Sequence, residues 1–298
     1  MTHQELIDLD GKMVLRVFPG RTKATPDDEG ARFGPPGLFE EADEIHISVT
    51  FTWHRELAEQ LGAAWERIAP VKIGGVGWRT KEQPFGDPGA EFVPGRYVKR
   101  GYVFTSRGCP RKCKFCSVPL RDPLVRLLPI VDGWNILDDN LLACPRRHVE
   151  AVFSMLKRQK RRVEFTGGLE AKSLKDYQVG LLADLSPPPS MFWAYDPGDP
   201  FETLKSAADR MWAAGLSKKT HRVRCYVLIG FPAEVSEDER PDTFEAAERR
   251  LEQMVSIGFT PMAMLYRPEI AGNWRPDPEW RRFQRRWARP AIIHARQV

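Results

Sequence analysis

The sequence predicts an α/β protein in which a partial (β/α)6 barrel follows a small α/β N-terminal domain. Three observations predict it. From residue 98 onward, short apolar runs of strand length alternate six times with segments whose apolar residues recur at helical spacing. That alternation is the pattern of a parallel sheet with helices outside. Ahead of it, residues 44–75 read strand, helix, strand, a βαβ unit whose two strands run parallel. Between the two lies 79–95, dense in Gly, Pro and charge, which reads as a linker. The organisation is therefore an N-terminal domain over 1–97, a barrel over 98–270 and a basic C-terminal helix within 271–298.

In order along the chain, residues 13–18 (Met-Val-Leu-Arg-Val-Phe) read as a short strand, and 19–37 as a Gly- and Pro-rich loop. Ile45, Ile47, Val49 and Phe51 alternate with polar neighbours, the mark of a half-buried strand. Leu57, Leu61, Ala64 and Ile68 then recur at helical spacing until Pro70 stops them, and 71–75 is an apolar strand ending on glycines. In the barrel, the strands fall at 102–105, 134–138, 163–168, 191–195, 223–229 and 261–266. Helices fill the gaps. One carries Val149, Val152, Phe153 and Leu156 as its apolar face, and a short one runs through Leu181, Leu182 and Leu185. A third, over Leu204, Ala207, Ala208, Met211 and Trp212, has Asp199-Pro200 as N-cap and first-turn proline and Gly215 as its stop. A fourth over 242–257 is closed by Gly258.

Composition narrows the class. With 298 residues, 42% hydrophobic and 29% charged, the chain has enough apolar material for a sizeable core and the balance of an ordinary soluble protein. No apolar run approaches the roughly 20 residues that span a bilayer, and the N-terminus carries no signal pattern. Five cysteines, three of them clustered, do not make a disulfide framework, so a cytoplasmic location is expected. A net charge of +5 favours acidic or polyanionic partners.

The chemistry concentrates in 108–118, Gly-Cys-Pro-Arg-Lys-Cys-Lys-Phe-Cys-Ser-Val. Cys109, Cys113 and Cys116 have the spacing Cys-x3-Cys-x2-Cys, close enough to wrap one metal centre, and thiolates suit zinc or iron–sulfur clusters. Structural zinc wants four protein ligands. The next histidine downstream is His148, and Cys144 lies in a different element, so three cysteines fit a cubane whose fourth iron is left for something other than protein. Cys-x3-Cys-x2-Cys with Phe115 just before the last cysteine resembles the signature loop of the radical S-adenosylmethionine enzymes. The resemblance implies that Cys109, Cys113 and Cys116 hold a 4Fe–4S cluster whose open iron chelates S-adenosylmethionine, with Phe115 packing near the adenine. It also implies a flavodoxin- or ferredoxin-type reductant, for which the basic Arg107, Arg111, Lys112 and Lys114 offer a landing site. A solvated basic loop is the plain alternative. The N-terminal domain faintly resembles a shortened cobalamin-binding domain, but no Asp-x-His-x-x-Gly is present, so cobalamin is not expected and Trp53, His46 and His54 read as packing or substrate-lining groups.

Sites in parallel barrels sit at the C-terminal ends of strands. The second barrel strand ends Asp138-Asp139-Asn140. By the resemblance, Asp139 and Asn140 hold the ammonium of S-adenosylmethionine; the alternative is an N-cap cluster for the next helix. Gly167 and Gly168 let backbone approach a ligand, and Glu170 or Lys172 contacts the cofactor or the substrate, while a turn accounts for the glycines equally well. Asp196 either takes ribose hydroxyls or caps the turn that follows it. The run 225–232 resembles the family's adenine-supporting Gly-x-Ile-x-Gly-x-x-Glu: Gly230 matches, Tyr226 and Leu228 replace the first two positions, and Glu234 comes one place late. Cys144 and Cys225 read as buried thiols.

From Arg275 the tail carries seven arginines against two acids. Trp280, Phe283 and Trp287 recur on one side of a helix begun by Asp277-Pro278, and Arg281, Arg282, Arg285, Arg286 and Arg289 cover the rest. The aromatics dock on the barrel, and the arginines are either a solvated face or a grip for a nucleic-acid backbone. The sequence thus points to a radical enzyme whose substrate is a nucleobase or modified nucleotide in DNA or RNA. Two other readings stand beside it: a radical enzyme acting on a small molecule or peptide, and a non-catalytic, zinc-stabilised nucleic-acid-binding module.

Overall fold

A computed structural model describes residues 11–78, 96–216, 221–236, 238–268 and 274–288. The linker expected at 79–95 and Arg289 lie outside the described residues. The chain is mixed α/β with parallel sheets and divides into two compact units, one up to Tyr102 and one that holds Val103–Pro268 and the residues from Trp274.

The first unit is a four-stranded sheet. Its strands are β1 (Val14–Val17), β2 (Ala31–Arg32), β3 (Glu44–Ser48) and β4 (Val71–Gly74), with helix α1 (Arg55–Trp65) between the last two. The order is β2-β1-β3-β4 and every pair is parallel, as a βαβ crossover requires. Alternation sends Leu15, Val17, Ile45 and Ile47 to one face, where they meet Ala58, Leu61 and Trp65 of α1. The opposite face is buried too, but polar. Arg16 pairs with Asp28, His46 with Glu44, and Glu44 with Lys72 at 2.8 Å. The Tyr97 hydroxyl lies 2.7 Å from His46 Nδ1, and burial pushes its pKa up to about 12. Each buried charge here has a partner, which is the condition for leaving water. The buried face of α1 is Ala58, Leu61, Gly62 and Trp65, whereas Leu57 is exposed. The helix is turned by about one residue from the stripe its aliphatics suggest, because Trp65 is the larger group to bury. The stretch expected as loop at 19–37 contains β2, too short to carry a period.

The second unit begins with β5 (Tyr102–Val103), β6 (Ser106–Arg107), α2 (Val118–Arg121) and β7 (Arg126–Leu127). It continues through β8 (Asn135–Ile136), α3 (Arg146–Lys157), β9 (Glu164–Glu170), α4 (Asp176–Ala183), β10 (Ser190–Tyr195) and α5 (Phe201–Ala213). It closes with β11 (Val223–Ile229), α6 (Phe244–Ser256), β12 (Thr260–Leu265) and α7 (Pro278–Trp287). Strands β5, β8, β9, β10, β11 and β12 lie side by side in that order. From β8 to β12 each neighbour is parallel to the last, with a helix in every connection. Strands β6 and β7 form a separate antiparallel pair. Among the described residues no helix is long and apolar enough to cross a membrane.

Helix α7 is started by Asp277, whose carboxylate accepts from the backbone N–H of Glu279 and Trp280. Phe283 and Trp287 are buried in the main core, and Trp280 packs on Phe244 of α6 with ring centroids 4.3 Å apart. Gln284 donates to the Ala263 carbonyl of β12 at 3.0 Å. Arg281, Arg282, Arg285 and Arg286 are exposed. Truncating Phe283 to alanine should therefore destabilise the second unit by about 3–5 kcal/mol, while Arg281→Gln should stay within about 0.5 kcal/mol. Urea unfolding of the two variants checks the difference.

Candidate functional site

The end of β8 and the segment leading to the cysteines are joined residue by residue. Asp138 is buried, and its carboxylate accepts from the Thr105 N–H at 2.6 Å, the Thr105 hydroxyl at 2.6 Å and the Ser106 hydroxyl at 2.7 Å. Burial pushes its pKa up, opposed by those donors. Asp139 accepts from the Gly108 N–H at 2.8 Å and from Arg107 at 3.2 Å. Asn140 donates through Nδ2 to the Cys109 sulfur at 3.4 Å and to Glu170 at 2.9 Å, while its Oδ1 accepts from the Ala143 N–H. Three consecutive residues thus hold five consecutive ones. Gly108 turns the chain at φ +94°, and a Cβ there would strike the carbonyl oxygen of Leu124. The Cys109 N–H then bonds the Asp122 carbonyl at 3.1 Å, tying the far side of the loop.

Strand β9 reaches the same place through a bulge. Phe165 pairs with Met191 and Leu169 with Trp193, so β9 spends four residues where β10 spends two. Gly167 lies in the extra stretch against the backbone of Leu137 and Asp138, too close for any Cβ, and Gly168, at φ +100°, faces open space. The bulge delivers Glu170, whose carboxylate accepts from Arg111 and Asn140 and, at 2.7 Å, from Ser173. At the end of β10, the Asp196 N–H donates to Asp199 at 3.2 Å, and Asp199 pairs with Lys172. Burial raises the Asp196 pKa to about 7, helped by the negative Asp199 and Glu170 and offset by Lys172. Burial likewise pushes the Cys113 thiol up to about 12, and Asp196, Cys116, Cys109 and Asp199 add to it. Asn140 joins the Cys109 sulfur to Glu170, and the Cys116 N–H bonds the Cys113 carbonyl at 3.1 Å. Lys114 donates to the Ser236 carbonyl at 3.0 Å, linking the cysteine loop to the segment after β11.

The residues singled out in the sequence fall into two groups. Cys109, Cys113, Cys116, Asp139, Asn140, Gly167, Gly168, Glu170 and Asp196 share this end of the sheet, and Phe115 stands half-buried within the loop. Gly230 ends β11 at φ +66°, gives its N–H to Asp242 at 2.8 Å and is packed by Trp280 and Leu265. Asp242 in turn pairs with Arg250 at 2.9 Å. Among the described residues no hydrogen bond or ion pair ties Gly230 to the cysteine loop. Asp199 does not cap α5, as the Asp-Pro pair suggests. The N-cap is Pro200 and no side chain caps it, because the Asp199 carboxylate is drawn to Lys172 and the Asp196 backbone. Arg107 and Arg111, read in the sequence as part of a landing site, are instead paired with Asp139 and Glu170, and Lys172 with Asp199. Local reading passes over these pairs because the partners lie far away in sequence. Cys144 and Cys225 are buried, and burial raises both thiol pKa values, that of Cys144 to about 11.

Among the described residues no group of three or more His, Cys, Asp or Glu side chains converges as the ligands of a single metal ion would. A cubane makes a different demand, because each thiolate holds a separate iron at its own corner. Cys109, Cys113 and Cys116 are half-buried free thiols, one of them receiving an amide N–H, and could serve three corners of such a cluster. No protein-family model matches the chain, and a search of curated proteins finds no match.

The Asp196 carboxyl sets a pH dependence. Between its ordinary value of 3.8 and about 7, the unfolded chain has lost this proton while the folded protein keeps it. Stability of the protein should therefore fall as pH rises from about 4 to about 7 and level off above. Asp196→Asn should flatten that decline. Urea midpoints at several pH values test it, and an equal slope in the variant contradicts the assignment.

Proposed function

We propose that the protein is a radical S-adenosylmethionine enzyme that binds a 4Fe–4S cluster through Cys109, Cys113 and Cys116. The observation that carries the reading is the splint of Asp138, Asp139 and Asn140, which fixes the cysteine loop at the C-terminal end of a parallel sheet. Sequential order of the strands from β8 to β12, with a helix in each connection, supports the finer description of this sheet as a partial (β/α)6 barrel. A 4Fe–4S cluster held by Cys109, Cys113 and Cys116 would supply the electron for reductive cleavage of S-adenosylmethionine, and with it the radical chemistry that abstracts hydrogen from a substrate.

The chain's own residues position and shield. Asp139 has both carboxylate oxygens engaged by the loop, so it serves chiefly to hold Gly108 and Arg107. Asn140 and Glu170, beside the Cys109 sulfur, are the groups we assign to the amino-acid end of S-adenosylmethionine. Gly167 and Gly168 keep the backbone low next to it, and Asp196 offers its carboxyl to ribose hydroxyls. Phe115 and Gly230 are assigned to the adenine side. Exposed Lys112 and Lys114 on the loop suit an acidic flavodoxin or ferredoxin as electron donor in a cytoplasmic setting. For the substrate we propose a nucleobase or modified nucleotide in DNA or RNA, supported by the four exposed arginines of α7.

Anaerobic reconstitution tests the cluster. Wild type should load iron and sulfide and turn brown, and Cys109→Ala, Cys113→Ala or Cys116→Ala should each abolish loading. Cys144→Ala and Cys225→Ala should leave it near normal. A colourless, zinc-loaded wild type, or equal loss on changing Cys144, overturns the reading. For the substrate, changing Arg281, Arg282, Arg285 and Arg286 to glutamine should flatten the log–log salt dependence of oligonucleotide binding by roughly 3 units if each meets one phosphate. The buried Phe283 and Trp287 keep the helix docked in that variant, so an unchanged slope in fluorescence anisotropy removes the nucleic-acid assignment.

A further inference from the structure

The first unit contains a cavity of about 490 Å³ that the cysteine chemistry does not use. It lies where the chain leaves β1 and crosses to β2, and Lys99 closes one side. Charge around it is uneven. Lys99 is paired with Asp27, and Asp28 is taken by Arg16 and by the Gly30 N–H. Both lining carboxylates are thereby spent. Arg21 and Lys23 also line the cavity, and among the described residues neither is in an ion pair. The pocket therefore keeps two cations that no acid neutralises.

Its geometry is set as well as its charge. The Arg21 guanidinium lies 3.6 Å from the ring centroid of Phe33, which orients the flat cation although the residue is exposed. A guanidinium stacked on one side retains its in-plane N–H fork for a phosphate and its outer face for a planar ring. Thr22 and Thr25 add hydroxyls. Their oxygens lie 3.1 Å apart, and each already accepts a backbone N–H, from Ala24 and Thr22 respectively. One hydroxyl hydrogen bridges the pair, and the other has no acceptor among the described residues. A lining with two surplus cations, a spare hydroxyl donor and a stacked guanidinium is built for an oxyanion attached to a planar group.

We infer that this cavity binds the phosphate of a nucleotide, either free or as part of a polynucleotide strand. The proposal rests on the first unit alone and does not require the chemistry assigned to the cysteine loop. It is therefore tested on the full chain without iron or S-adenosylmethionine. Calorimetry with thymidine 5′-monophosphate should show saturable binding that thymidine lacks. Arg21→Gln combined with Lys23→Gln should weaken it at least tenfold, since hydrogen bonds to charged groups are the strong ones. Phe33→Leu, which removes the ring under the guanidinium, should weaken it by a smaller factor. Circular dichroism should report an unaltered fold in the exposed double variant. A labelled 12-residue oligothymidylate, measured with the four α7 arginines already changed to glutamine, separates the sources. Tenfold loss with both probes supports a free nucleotide, and loss with the oligonucleotide alone supports a strand. Absence of saturable binding to either, or equal affinity in the Arg21/Lys23 variant, overturns the proposal.

Discussion

The second unit depends on a carboxylate that has left water. Asp138 is almost fully buried at the end of β8, yet it accepts three hydrogen bonds from Thr105 and Ser106. Burial without those donors is the expensive alternative, so the Thr105–Ser106 segment and the strand end hold each other in one arrangement. Everything downstream inherits that arrangement. Asp139 and Asn140 can reach Gly108 and Cys109 only because Asp138 has already set the offset between the two segments. The thiols are thus placed by the strand beside them as well as by their own loop.

Both units handle buried polarity by pairing, with different results. In the first, Arg16, Asp28, Glu44, His46 and Lys72 fill one face of a sheet and leave the other to aliphatics and Trp65. In the second, Asp138, Asp139, Asn140, Glu170 and Asp196 collect at one end of the sheet, while Asn135, Glu164 and Thr166 bond one another at the start of β8 and β9. Among the described residues of the first unit, α1 covers one side of the sheet and paired charges occupy the other. A polar end leaves strand tips as the place where ligands meet charge. Partly neutralised acids are the sign of such an end: burial raises Asp196 to about 7, while Asp199 is paired with Lys172 and Glu170 with Arg111.

Much of the fold was legible because apolar period reports burial directly. The strands at 191–195 and 223–229 and the helix through Val149, Val152, Phe153 and Leu156 appear where the pattern puts them. What escaped was either too short to have a period or governed by distant partners. Strands β2, β6 and β7 are two residues each. On α1 the aliphatic stripe was misleading because one tryptophan outweighs Leu57. At the candidate site, cysteine spacing and the acids after β8 stood out locally. The pairing of Asp138 with Thr105 spans 33 residues and that of Arg111 with Glu170 spans 59, so neither leaves a local trace. Asp199 shows the same limit from the other side, since a plausible local cap yields to an ion pair with Lys172.

Helix α7 has a consequence in time. It lies on β12 and fills the space beside Phe244, but it is made after both of them. At a synthesis rate of about 5–20 residues per second, the ribosome adds the stretch from Leu265 to Trp287 over roughly one to five seconds. Phe283 and Trp287 are part of the main core, so that core cannot close until these residues have left the ribosome. The second unit therefore does not finish strand by strand as it is made; its packing waits for its last helix.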